Sequence, residues 1–178
     1  MKDYFFKMRG STKAPPLPGM QEIILAFVGS CLGLGSIAIV HELFLRSVGL
    51  PLIMAPFGAS AVLVFGAFRS PLAQPRNVIG GHIISGLIGV SIYQLVGDAQ
   101  ILAIGLAVPL AIAAMHVTGT LHPPGGATAF VTAAGGAGVH AFGYWYVFSP
   151  CALGSIMLVM FGLLINNIPE KQHYPQFW

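Results

Sequence analysis

Apolar residues fall into six blocks along the chain: at about 23–45, 52–68, 78–96 and 101–117, from 124 until the glycine-rich stretch after Ala134, and at about 150–165. Short polar or glycine- and proline-rich intervals separate them, among them Ser70-Pro71-Leu72-Ala73-Gln74-Pro75-Arg76-Asn77 and Gly97-Asp98-Ala99-Gln100. A helix rises about 1.5 Å per residue, so roughly 20 apolar residues cross a ~30 Å hydrocarbon core. The pattern predicts an all-α membrane protein of about six transmembrane segments. Tyr144, Trp145 and Tyr146 form an aromatic cluster suited to the membrane–water interface.

Two blocks carry a break. His122-Pro123-Pro124-Gly125-Gly126-Ala127-Thr128-Ala129 stands where an uninterrupted helix is expected. Prolines in a helix interior remove donors and clash with earlier carbonyls, but in a first turn they cost little. A new helix is therefore expected from about Pro124. Pro56-Phe57-Gly58-Ala59-Ser60-Ala61 matches Pro124-Gly125-Gly126-Ala127-Thr128-Ala129 as Pro-x-Gly-Ala-(Ser/Thr)-Ala. The chain then divides into a basic tail (1–19), one transmembrane domain (20–168) and a polar, aromatic C-terminal tail (169–178). Within the domain, residues 20–97 lie over 100–167 as two three-segment repeats. An odd number of crossings inserts the second copy upside down, so the Pro/Gly-broken helices meet near the midplane, and paired breaks of this kind point to a transporter site.

Composition agrees with the membrane assignment. The 178 residues are 56% hydrophobic and 7% charged, against about 25% charged in a soluble domain, and mean hydropathy is +0.81. A net charge of +3 gives no reason to expect nucleic acid. The polar, proline-rich start has no signal-peptide core, so the first apolar block is expected to remain as a span, and Tyr4, Phe5 and Phe6 are expected against the headgroups. With the N-terminus cytoplasmic, Lys2, Lys7, Arg9, Lys13, Arg69, Arg76 and Lys171 fall inside and only Arg46 outside, with Asp98 also outside. That places both termini in the cytoplasm and the protein in the cell's inner (plasma) membrane. Cys31 and Cys151 sit in apolar blocks and read as small buried hydrophobes. Gly29 and Gly33, and Gly81, Ser85 and Gly89, recur at four-residue spacing and read as close helix packing.

The chemistry concentrates at the breaks. A helix N-terminus carries free N–H donors and the positive end of the helix dipole. Two such ends facing each other make a neutral site that attracts a small monovalent anion without trapping it. The candidate binding residues are Pro56, Gly58, Ala59, Ser60, His122, Pro124, Gly125, Gly126, Ala127 and Thr128. His122 could donate to the anion or relay a proton; capping the broken helix explains it equally well. Arg76 and Asn77 could draw anions to the cytoplasmic mouth, or serve only as a helix start and an orientation signal. Glu42 and Arg46 are spaced to pair. His41, His82 and His116 join no set with metal-ligand spacing. No cofactor is expected, and no catalytic constellation argues for an enzyme.

Three stretches, Leu121 to Thr128, Ala55 to Ala61 and Ser70 to His82, with Tyr174, Pro175 and Trp178 at the end, resemble the HPP family of integral membrane proteins, named for its His-Pro-Pro triplet. The likeness covers roughly residues 20–178. Members in cyanobacteria and chloroplasts are associated with nitrite transport, so the resemblance implies a nitrite channel or carrier. Some relatives carry an added CBS-type domain, for which this chain is too short. The expected partners are nitrite, membrane lipid and further copies of the chain in a homo-oligomer. The alternative is a membrane-embedded assembly or sensory subunit without transport of its own.

Overall fold

The computed structural model describes residues 2–8 and 12–178; Arg9, one of the basic residues assigned inside, lies outside the described residues. The helices are α1 (Lys2–Phe6), α2 (Met20–Leu45), α3 (Pro56–Gly66), α4 (Pro75–Val96), α5 (Gln100–Thr118), α6 (Pro123–Ala134), α7 (Ala137–His140) and α8 (Val147–Asn166). No strand occurs among the described residues. Four helices, α2, α4, α5 and α8, are long and apolar enough to cross a membrane, with 26, 22, 19 and 20 residues. Their outward side chains are apolar and bare, as lipid-facing residues are: Ile101 is 93% exposed and Val117 88%.

The second and fifth apolar blocks are not full helical spans. They form α3 and α6, whose 11–12 residues rise only about 16–18 Å. Each begins at a proline, because a helix continued back through it would lose a donor and clash with a carbonyl. Most of residues 50–55 ahead of α3 are non-helical. Arg69, just past α3, pairs with Glu22 at the start of α2 at 3.1 Å. The segment from the end of α2 to Arg69 therefore runs back along the whole of α2, part extended and part helix.

Side-chain contacts fix which ends share a face. Arg76 at the start of α4 donates to the Thr118 carbonyl at the end of α5. Gln172, beyond α8, donates to Glu22. The starts of α2 and α4, the ends of α3, α5 and α8 and the C-terminal tail thus lie on one face, called here the Glu22 face. Arg46, the 97–99 turn and α7 lie toward the other. Ser149, near the start of α8, bonds the Pro51 carbonyl there.

The small residues work as close-packing sites. A β-carbon at Gly89 would sit 1.9 Å from Thr132 Oγ1, and one at Gly81 2.6 Å from His122 Cβ. Gly29 and Gly33 admit the Phe65 ring in the same way. The absences at Gly81 and Gly89 let α6 lie along α4, running in the same direction. Ala103, Ala107 and Ala111 of α5 complete a second contact layer with Ala129 and Ala133. Cys151 is buried as expected, whereas Cys31 is exposed on the outer side of α2. Tyr146 is also buried, leaving Tyr144 and Trp145 as the exposed aromatics of that cluster.

Candidate functional site

The two proline-led helices deliver their second turns to one point. Residues preceding proline favour extended backbone, and His122 obeys, at φ −140° and ψ 108°. Its side chain makes no capping bond to α6. It points instead into the bundle, where nothing of it is exposed. Ser60 sits one turn into α3, Thr128 one turn into α6, and His82 two turns into α4. All four residues are fully buried.

They form one hydrogen-bonded chain. His122 Nδ1 lies 2.8 Å from the Leu72 carbonyl oxygen and its Nε2 2.9 Å from Ser60 Oγ. Ser60 Oγ lies 2.7 Å from His82 Nε2, and His82 Nδ1 2.7 Å from Thr128 Oγ1. A carbonyl only accepts, so His122 carries its proton on Nδ1. With both rings neutral, every other proton follows. Thr128 donates to His82 Nδ1, His82 Nε2–H donates to Ser60, Ser60 donates to His122 Nε2, and His122 Nδ1–H donates to Leu72. Each hydroxyl has a second acceptor 3.3 Å away, the carbonyl of its own leading proline: Pro56 for Ser60, Pro124 for Thr128. The Phe57 ring closes the site edge-on to His82, with centroids 5.2 Å apart.

The Leu72 carbonyl is itself held in place. Ser70 accepts from the Leu72 N–H, and the buried Gln74 amide donates to the Phe68 and Ser70 carbonyls. Tyr174 donates to the Ala73 carbonyl, and the Gln176 N–H to Gln74 Oε1. The turn between α3 and α4 is thus clamped by the C-terminal tail, and the clamp positions the acceptor for His122.

Of the residues singled out by sequence, Pro56, Ser60, His122, Pro124, Gly125 and Thr128 are buried at this convergence. Gly126 is half-buried beside Val108, while Gly58, Ala59 and Ala127 face outward from the single chain. Part of the expected pool of free backbone donors is already used. The Phe57 and Gly58 N–H groups bond Met54 and Ala55 carbonyls, and the Gly125 N–H bonds that of His122. The donors facing one another between the two helices are hydroxyls and imidazoles. Arg76 is exposed with one guanidinium nitrogen on Thr118. Asn77 is buried, donates to the Leu121 carbonyl and leaves its Oδ1 without a partner. Glu42 and Arg46 pair as their spacing implied. His82 is the residue that sequence reading passed over. An ionisable side chain inside an apolar block marks function by default, and that signal was present. Among the described residues no three metal-ligating side chains come together.

The HPP transmembrane-region model matches residues 15–175. The chain belongs to the HPP transmembrane family. Two family-like relatives, both named transmembrane proteins from Dictyostelium discoideum, are 39% identical over 178 residues and 36% identical over 180. Each alignment covers 98% of this chain but only 57% and 63% of the relative. The chain thus spans about three-fifths of the length of the curated relatives it matches. No solved structure matches it. The triplet that names the family is His122-Pro123-Pro124, the entrance to α6, whose histidine joins the buried chain.

Proposed function

We propose that this HPP protein carries a small monovalent anion across the membrane, with nitrite as the leading substrate. The observation that carries the reading is the meeting of α3 and α6. Two short proline-led helices bring the Ser60 and Thr128 hydroxyls to opposite sides of one buried imidazole. A polar cluster of this kind is costly to bury in a membrane interior unless it has work to do. Hydroxyl and imidazole donors suit an anion that must bind several groups at once and still leave. Among the described residues no Lys or Arg stands in the cluster to hold it.

All four side chains are shut away in this conformation, so passage requires α3 and α6 to move apart. Bonds between hydroxyl and ring are then exchanged for bonds to the anion. The seam on which they move is the hydrogen-bonded line from Ser60 through His82 to Thr128. Gly58 and Gly126 lie outside it, a β-carbon at Gly58 meeting nothing within 4 Å and one at Gly126 only Val108 of α5 at 3.9 Å. In this reading the domain is two inverted repeats, the Glu22 face is cytoplasmic, and Arg76 and Asn77 stand at the mouth. The protein works without enzymatic activity or cofactor, as a homo-oligomer in the cell's inner membrane. The decisive experiment is nitrite flux into liposomes holding the purified chain. Flux above protein-free vesicles that drops in Thr128→Val, which removes a hydroxyl from the seam, is the expected outcome. A correctly inserted Thr128→Val protein with undiminished flux removes the anion from between these helices. No flux in wild-type vesicles favours the assembly or sensory subunit instead.

A further inference from the structure

We infer that the His82–Ser60–His122 chain is a proton-binding site that takes one proton and shuttles it between the two rings, coupling anion passage to proton movement. The proton site rests on the geometry alone; the coupling rests on the anion-transport reading above.

The heavy atoms are arranged so that an added proton breaks no hydrogen bond without replacing it. A hydronium ion arriving from the Thr132 side gives its proton to Thr128 Oγ1 as Thr128 passes its own to His82 Nδ1; one O–H bond of the hydronium breaks, an N–H bond forms, and water is left. Thr128 then turns its hydroxyl hydrogen to the Pro124 carbonyl, 3.3 Å away, and its oxygen accepts from the new N–H. From there the charge moves through Ser60. His82 Nε2 gives its proton to Ser60 Oγ while Ser60 gives its own to His122 Nε2. His82 is left neutral with its proton on Nδ1, and His122 is the cation, donating to Leu72 and to Ser60. Every donor and acceptor is satisfied before and after, and no heavy atom has to move. Ser60 also has Pro56 as a reserve acceptor, the exact counterpart of Thr128 and Pro124.

The pair accepts one proton and not two, because the ring centroids are 5.1 Å apart in a site closed to water. Among the described residues, the groups facing the two rings are Ser60 and the Phe57 ring from α3, Thr128 from α6, and the Leu72 carbonyl from the turn before α4. None is a carboxylate or a basic side chain, so the compensating charge comes from the transported anion. The side opposite the Glu22 face offers an approach. A cavity of about 40 Å³ beside Tyr93, Gln94, His140 and Thr132 lies one helical turn beyond Thr128, and the buried His140 Nε2 has no partner.

Two measurements on the full chain in lipid test the inference. Histidine 15N spectra, assigned with His82→Gln, are expected to show Nδ1–H on His122 and Nε2–H on His82 at alkaline pH. On acidification they should show a single imidazolium shared between the rings. The other tautomers, two independent protonations, or none while the protein stays folded, overturn the site. The second measurement is nitrite uptake with potassium and valinomycin setting the membrane potential. One proton per nitrite makes accumulation rise about tenfold per pH unit of gradient, above protein-free leak, and makes it indifferent to potential. Glutamine at position 82 reproduces the neutral donor and acceptor pattern but takes no proton, so His82→Gln should lose the gradient-driven uptake. If that variant does not insert, Thr128→Val, which removes the hydroxyl that must turn, should shift the acidification midpoint in the spectra. Uptake driven by potential without proton movement overturns the coupling. If no nitrite moves in any vesicle, the anion reading fails while the spectra still decide the proton site.

Discussion

Removing the Ser60 hydroxyl should cost the fold about two to three times what removing the Thr128 hydroxyl costs. Ser60 Oγ bridges two rings, at 2.7 Å from His82 Nε2 and 2.9 Å from His122 Nε2. Ser60→Ala therefore leaves one buried N–H donor and one buried acceptor nitrogen unpaired at once. Thr128→Val keeps the side chain's shape and strands only His82 Nδ1, whose partner stood 2.7 Å away. A stranded buried polar group costs roughly 1–3 kcal/mol, and hydrogen bonds measured inside membrane proteins fall toward the lower end, about 0.6–1.7 kcal/mol. We expect about 2–3 kcal/mol for Ser60→Ala and about 1 kcal/mol for Thr128→Val on that scale. For a chain of this length each kcal/mol shifts the unfolding midpoint by about 2–4 °C. Thermal unfolding in one detergent, followed by circular dichroism, reads the difference. A Thr128→Val protein less stable than Ser60→Ala, or a Ser60→Ala protein unchanged from wild type, would refute the bridge.

Other outcomes follow from the same geometry. Gly89→Ala should cost about 1–3 kcal/mol through overpacking, since its β-carbon would overlap Thr132 Oγ1, whereas Gly58→Ala should be neutral or slightly stabilising; unfolding midpoints in detergent separate the two. Tyr174→Phe should lower stability by about 1 kcal/mol by freeing the 3–10 turn at Ala73 from the tail, and faster amide exchange at residues 70–74 is the readout. Single cysteines at Asp98 and Gln172, in a background lacking Cys31 and Cys151, should react with a membrane-impermeant thiol reagent from opposite sides; labelling from the same side rejects the topology. Arg76→Ala should slow nitrite flux at low ionic strength and much less at high salt, because an exposed charge at the mouth steers by a screened field; a salt-independent loss would mean that its bond to Thr118 holds the structure instead.

The amino-acid pattern alone determined a good deal. Low charge and long apolar blocks dictate membrane helices, because a chain with so little polar surface cannot face water. The prolines at 56, 123 and 124 dictate where helices begin, because a missing N–H and a rigid ring act within one turn of the chain. The glycine spacing announced close packing for a similar reason, since a missing β-carbon is a local fact. Four matters were decided only in three dimensions. The proline-led blocks became short helices rather than spans, because each starts at its proline and non-helical chain precedes α3. Cys31 faces outward because helix rotation is set by neighbours and not by its own block. His122 turned from a possible cap into a partner of Ser60 because the clamped turn offers it the Leu72 carbonyl. His82, unremarkable at the head of an apolar block, became the centre of the site because α3 and α6 approach it from both sides. Ser60, His82 and the 122–128 stretch are far apart in the chain, and no local rule of spacing brings α3, α4 and α6 to one point. Only the packing of α3 and α6 against α4, admitted by Gly81 and Gly89, does so.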